Sequence, residues 1–166
     1  MKQINDPVFG KLEYNEGNCT WVGKVPLGIW GVDNYLLDLV VKCDDEEITE
    51  VQRNAYKAYL ESLPKISEQV PDALFAYYKE HYEEFDRICN LPEDMKIGVV
   101  DKKTTHQFFE PTQLFIDLNG NYGWLSIFIS PQYNISVILS DGKPRIFQDW
   151  DVFEDFGIVD DDVFGE

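Results

Sequence analysis

The period of the hydrophobic pattern changes twice along this chain, and that change constrains the fold more than any other feature. Residues 8–14 alternate apolar and polar, Asn15, Glu16, Gly17 and Asn18 supply a turn, and residues 19–25 alternate again through Trp21 and Val25. Pro26 and Gly28 end that run. In residues 35–43, Leu37, Leu39 and Val41 fall on one face. The other face carries Asp38 and Lys42 beside Leu36 and Val40, the pattern of a strand covered on both sides. A meander of three antiparallel strands accounts for this third.

The middle third switches to the helical period. After Asp44-Asp45-Glu46-Glu47, Thr49 and Gln52 fit a capping box, in which each residue's side chain satisfies the other's backbone amide. Val51, Ala55, Tyr56, Tyr59, Leu60 and Leu63 then recur at helical spacing. Pro64 is expected to interrupt the helix, because proline has no amide hydrogen and crowds the preceding turn. A second helix carries Ile66, Val70, Leu74, Tyr77, Tyr78 and Phe85, with Pro71 at its first turn or at a kink. It ends near Cys89-Asn90, since Leu91-Pro92 prevents continuation.

The last third returns to strands. Residues 97–100 form a short one, and residues 104–109 a helical turn before Pro111. Residues 113–118 pair with 122–130 across Asn119-Gly120-Asn121, a hairpin signal. Residues 135–139 and 145–148 flank the turn Ser140-Asp141-Gly142-Lys143. The expected class is therefore α+β: antiparallel sheet from an N-terminal and a C-terminal strand group, with a central helical pair packed on one face.

Residues 1–148 are expected to form one domain. Residues 149–166 form an acidic–aromatic segment with eight acids and no base. It also carries Trp150, Val152, Phe153, Phe156, Ile158, Val159, Val163 and Phe164, which a purely solvated tail would not, so docking on the domain is expected, with ordering on a partner as the alternative.

Charge narrows the partner classes. The chain has 166 residues with 31 acids against 14 bases, a net charge of −17, and 44% hydrophobic residues, enough for a folded core. Such a surface repels phosphate backbones and anionic headgroups, so neither nucleic acid nor membrane is expected and a basic protein partner is. The N-terminus is polar, and the longest apolar runs are too short to span a bilayer. Cys19, Cys43 and Cys89 are odd in number and form no C-x-x-C pair. A soluble cytoplasmic protein with reduced thiols is the expectation.

Motifs for catalysis are missing from the sequence. His81 and His106 are the two histidines, and neither sits in a nucleophile–base motif. The stretch Asp117-Leu118-Asn119-Gly120-Asn121-Tyr122-Gly123 spaces oxygen ligands like a calcium loop, but Tyr122 replaces the required Gly and Phe128 the closing Glu. Asp160-Asp161-Asp162 reads as a solvated charge run. No enzyme, metal or cofactor is expected. Trp21 and Trp124 fall in strand patterns and belong to the core, whereas Trp30 and Trp150 sit at boundaries where a sugar or other small ligand could stack. That is the alternative function.

One set of features resembles a known family. It comprises Asp6-Pro7-Val8-Phe9-Gly10-Lys11-Leu12, Trp21, Glu47-Ile48-Thr49-Glu50 with Gln52, Asn119-Gly120-Asn121-Tyr122-Gly123, and Asp141-Gly142-Lys143 before Gln148-Asp149. In that order they resemble an uncharacterised family of small acidic bacterial intracellular proteins, some of them candidate immunity proteins of polymorphic or contact-dependent toxin systems. The family pattern often has a Trp-Asp segment after the central hairpin, where Ser130-Pro131-Gln132-Tyr133-Asn134 stands here. The resemblance implies an immunity-type inhibitor that neutralises a basic, nuclease-like toxin domain, and it carries no catalytic residue. The acidic surfaces expected to meet that partner are Asp44, Asp45, Glu46 and Glu47, then Glu80, Glu83 and Glu84. The third is Asp149, Asp151, Glu154 and Asp155, with Trp150 and Phe153 as anchors.

Overall fold

The structure is a computed structural model that describes residues 2–30 and 35–149. Eight strands form one sheet in sequence order: β1 (Gln3–Asp6), β2 (Gly10–Asn15), β3 (Thr20–Pro26), β4 (Leu36–Lys42), β5 (Phe109–Ile116), β6 (Tyr122–Phe128), β7 (Ser130–Ile138) and β8 (Arg145–Gln148). Every neighbouring pair is antiparallel except β4 and β5, which run parallel because the helical crossover lies between them. The two strand groups read from the sequence are thus halves of one α+β sheet, joined at the parallel pair.

The helices depart from expectation. α1 (Glu50–Glu80) runs unbroken through Pro64 and Pro71, and the break before α2 (Tyr82–Cys89) falls at His81. Its buried stripe, from Gln52 through Ala55, Tyr56, Tyr59, Ile66, Val70 and Leu74 to Tyr77 and Tyr78, crosses both prolines without losing register. Pro64 is exposed and Pro71 half-buried, off that stripe. Pro71 cannot donate to the Ser67 carbonyl, and the Trp30 indole donates to it instead at 3.0 Å. Packing along 31 residues therefore overrides the local breaker.

Two strand assignments also change. Residues 97–100 turn at Gly98, whose φ of +91° ends extension, and Ile97 and Val100 form an isolated bridge rather than a strand. β1 appears where the polar Gln3–Asp6 gave no apolar alternation. It is an edge strand held by pairing with β2 and by Asp6, whose carboxylate accepts from the amides of Val8 and Phe9 at 2.9 and 3.0 Å.

α1 and α2 lie on one face of the sheet. Tyr59, Tyr78 and Phe85 pack there with Leu37, Leu39, Leu114, Trp124, Phe128 and Val137 in a single apolar cluster. The Trp124 indole donates to the Tyr59 hydroxyl at 3.1 Å, so this buried ring is satisfied within the core. The capping box forms as read: the Thr49 hydroxyl accepts from the Gln52 amide, and the Gln52 side-chain oxygen accepts from the Thr49 amide at 3.1 Å. Gln52 does more than cap. Fully buried, its side-chain amide donates to the Lys42 carbonyl at the end of β4 and to the Asp117 carbonyl just past β5. One side chain thus ties the start of α1 to both parallel strands.

Candidate functional site

The expected acidic surfaces are brought together only in part. Asp44–Glu47 precede the first residue of α1, whereas Glu80 is its last. A helix of 31 residues rises about 45 Å, so these clusters stand at opposite poles. A standard interface patch of roughly 800 Å² per partner is only about 30 Å across and cannot cover both.

At the first pole Glu46 is engaged with a base, while Asp44, Asp45 and Glu47 are exposed with no ion pair among the described residues. Asp44 to Glu47 make a tight turn in which Asp45 and Glu46 take φ of +53° and +65°. Glu46 pairs with Lys2 at 3.1 Å, and its carbonyl accepts from the Trp21 indole at 3.2 Å. Asp6, with its side chain 1% exposed, accepts from both Nε and an Nη of Arg53, which also pairs with Glu50. Burial pushes the Asp6 carboxyl up, but Arg53 and the amides of Phe9 and Val8 outweigh it and hold the group below the usual carboxylate range.

At the second pole the acids lack such partners. The α1–α2 break places Glu80, His81, Glu83 and Glu84 around a surface hollow that Lys79, Tyr82, Ile97 and Gln148 complete. Glu80 and Glu83 are exposed, and among the described residues neither has an ion-pair partner. Glu84 is half-buried: it accepts from the Tyr133 hydroxyl at 2.8 Å and lies 3.9 Å from His81 Nδ1. Tyr133 in turn meets the Tyr77 hydroxyl at 3.4 Å, and the His81 ring lies 4.2 Å from that of Tyr77. Burial, reinforced by Tyr77 and Glu84, pushes the Tyr133 phenol far up. Tyr77 is also raised by burial, with Glu84, Asp149 and Glu80 all adding negative charge around it. Asp149 follows directly on Gln148, which lines the same hollow. Trp150, Asp151, Phe153, Glu154 and Asp155 lie outside the described residues.

A separate cleft of about 500 Å³ opens at the end of β5 and β6, lined by Trp30, Tyr35, Phe108, Phe109, Glu110 and Ile129 among others. Trp30 and the β-branched Ile129 hold φ of +59° and +72°, strained values for such residues. Their polar neighbours are partly used internally. The Tyr35 hydroxyl donates to the Pro111 carbonyl at 2.6 Å, and burial followed by the nearby Glu110 pushes it up to about 12. Of the boundary tryptophans, Trp30 is at this cleft but half-buried, its indole donating to helix α1. Sequence reading missed Tyr35, Phe108 and Ile129, because distant segments form the cleft and none of them breaks its local pattern. The Tyr133 support of Glu84 was likewise hidden, with 49 residues between them.

The calcium-loop spacing at Asp117 has a structural use. Its carboxylate accepts from the Asn119 and Asn121 amides and the Asn121 side chain at 2.8–2.9 Å, which closes the β5–β6 hairpin. Among the described residues no group of three or more His, Cys, Asp or Glu is placed to hold a metal ion. No described helix is long and apolar enough to cross a membrane.

Fold and poles together define an α+β protein: a mostly antiparallel eight-stranded sheet, helices on one face and an acid-lined hollow at the helix break. The chain belongs to the family described as Domain of unknown function (DUF6985), which matches residues 8–129. Neither a curated protein nor a solved structure matches it.

Proposed function

We propose that this protein is a non-enzymatic, cytoplasmic protein-binding module whose pole at Glu80, Glu83 and Asp149 receives a basic protein domain, in the manner of an immunity protein that neutralises a nuclease-like toxin. The observation that carries this reading is the hollow at the helix break. Glu80 and Glu83 stand exposed beside it with no ion-pair partner among the described residues, whereas at the other end Glu46 is held by Lys2, and Asp6 and Glu50 by Arg53. Desolvating an acid already in an ion pair gains a partner little, whereas an unpaired one offers the full attraction. Nuclease domains are basic because they grip phosphates, and a negative pole steers them into contact.

The test is capture of a partner by the full chain from its native host at low and at high salt. A basic protein that salt releases, that Glu80→Lys with Glu83→Lys abolishes and that Asp44→Lys with Asp45→Lys retains, is the expected result. Equal capture by both charge-reversed variants overturns the assignment of the pole.

A second reading rests on the aromatic cleft. Two strained residues, Trp30 and Ile129, border one concave apolar site, the kind of place where strain is stored for ligand binding. Quenching of tryptophan fluorescence by a sugar or small aromatic compound, lost in Phe108→Ala, favours this reading over the first.

A further inference from the structure

Two of the three cysteines meet where β3 begins and β4 ends. The register pairs Thr20 with Lys42, and one step outward the Cys43 amide donates to the Cys19 carbonyl at 3.0 Å. Residues facing each other across such an antiparallel hydrogen bond stand about 5.5 Å apart at Cα, inside the roughly 4.4–6.8 Å that a disulfide spans. Their side chains converge as well. The Cys43 thiol donates to the Cys19 carbonyl at 3.4 Å, and the Tyr14 hydroxyl hydrogen-bonds to both sulfurs. The third cysteine, Cys89, ends α2, past the opposite end of α1.

The two thiols differ in what reaches them. Cys19 is exposed in the turn between β2 and β3, where it takes φ of +55°. Cys43 is 2% exposed and belongs to the apolar cluster under the helices. Burial pushes the Cys43 thiol up, against the Tyr14 hydroxyl and the Glu46 amide, so it stays a protonated thiol beside its exposed neighbour. We propose that Cys19 and Cys43 form a reversible thiol–disulfide site, in which a hydroperoxide oxidises Cys19 and Cys43 then closes the bridge.

The chemistry balances with hydrogen peroxide as oxidant. The Cys19 sulfur, as its thiolate, attacks one peroxide oxygen; an S–O bond forms, the O–O bond breaks, and the departing hydroxide is protonated to water. The Cys43 sulfur then attacks the Cys19 sulfur. An S–S bond forms, the S–O bond breaks, and the second hydroxide leaves with the Cys43 proton as water. Two electrons have passed from the thiol pair to the peroxide, and exchange with a thiol reductant returns them. In a reducing compartment the pair rests as thiols and closes on oxidation. Cys43 adjoins Lys42, whose carbonyl accepts from Gln52, so the bridge would staple the pole where α1 begins. The inference is independent of the proposed function and leaves Glu80 and Glu83 untouched at the other pole.

The test treats the full chain with hydrogen peroxide, with and without later reductant, and maps its peptides without reducing them. A link between the Cys19 and Cys43 peptides is expected, with free thiols falling from three to one and returning on reduction. Cys89→Ser should bridge as the parent chain does, whereas Cys43→Ser should stop at a Cys19 sulfenic acid that a cyclic diketone traps. Should Cys43→Ser not fold, Cys19→Ser, altered at an exposed turn position, should keep Cys43 as a free thiol after peroxide. The bridged chain should also unfold at higher urea than the reduced one, because the bridge constrains the unfolded chain. Three thiols surviving peroxide, a bridge that includes Cys89 or joins two chains, or a bridge that lowers the urea midpoint overturns the proposal.

Discussion

The two ends of α1 carry similar acidic composition but opposite arrangements. At the N-terminal end, Asp6 and Glu50 converge on Arg53, Glu46 meets Lys2, and Gln52 satisfies three backbone groups of α1, β4 and the β5–β6 turn. At the C-terminal end, one acid, Glu84, is tied down by Tyr133, and Glu80 and Glu83 point into solvent. A carboxylate therefore has two distinct uses in this chain. Near the parallel strands it closes the fold, and at the helix break it remains available.

Substitutions at the first pole should show this most strongly. Arg53→Ala leaves Asp6 buried at 1% exposure without its cation, so unfolding stability should fall by about 3 kcal/mol in denaturant titration. Gln52→Ala orphans the Thr49 amide and the carbonyls of Lys42 and Asp117, and about 2 kcal/mol should be lost. Acid should expose the same chemistry. Because the folded Asp6 carboxyl titrates below its unfolded value of 3.8, its stabilisation is complete above that pH and disappears as pH falls through the folded value. In Arg53→Ala burial acts without the counter-charge, and the acid limb should move to higher pH. An acid limb identical in the variant and the parent chain would detach Asp6 from the fold's stability.

Much of the first pole could be read in the sequence and almost none of the second. Thr49 and Gln52 announce themselves because a capping box is local, three residues apart. The hairpin at Asn119-Gly120-Asn121 is local for the same reason. Arg53 with Asp6 was invisible, since 47 residues separate them and only the sheet order brings β1 beside α1. The helix break was misplaced at Pro64 because a proline is a local signal, while the apolar stripe that carries α1 through it, and the Trp30 indole that serves the Ser67 carbonyl at Pro71, are tertiary. Acidity at positions 80–84 was plain. That Glu80 and Glu83 have no ion-pair partner among the described residues depends on where every other charged residue ends up.

Smaller effects should mark the second pole. Tyr133→Phe removes the hydrogen bond to Glu84 and should lower stability by about 1 kcal/mol. The parent chain should also weaken in alkali. The folded Tyr133 phenol titrates above its unfolded value near 10, so its contribution is full below that pH and declines as pH rises toward the folded value. Tyr133→Phe should lose part of that alkaline slope.

The smallest stability effect is the most informative about use. Glu80 occupies the last turn of α1, where the carbonyl end of the helix dipole disfavours an anion, and Glu83 and Glu84 lie three and four residues further along. Among the described residues Glu80 and Glu83 have no ion-pair partner, and Glu84 lies 3.9 Å from His81 Nδ1. Glu80→Gln should therefore raise stability slightly, by about 0.3 kcal/mol at low salt, with the gain vanishing as salt screens it. If the pole receives a basic partner, the same substitution should slow association with it and flatten the salt dependence of the rate, with little change in dissociation. Stability and binding would then move in opposite directions at one residue, which a merely solubilising charge does not do. A Glu80→Gln chain that gains stability and binds with an unchanged on-rate would leave the acid at this pole without a role in recognition.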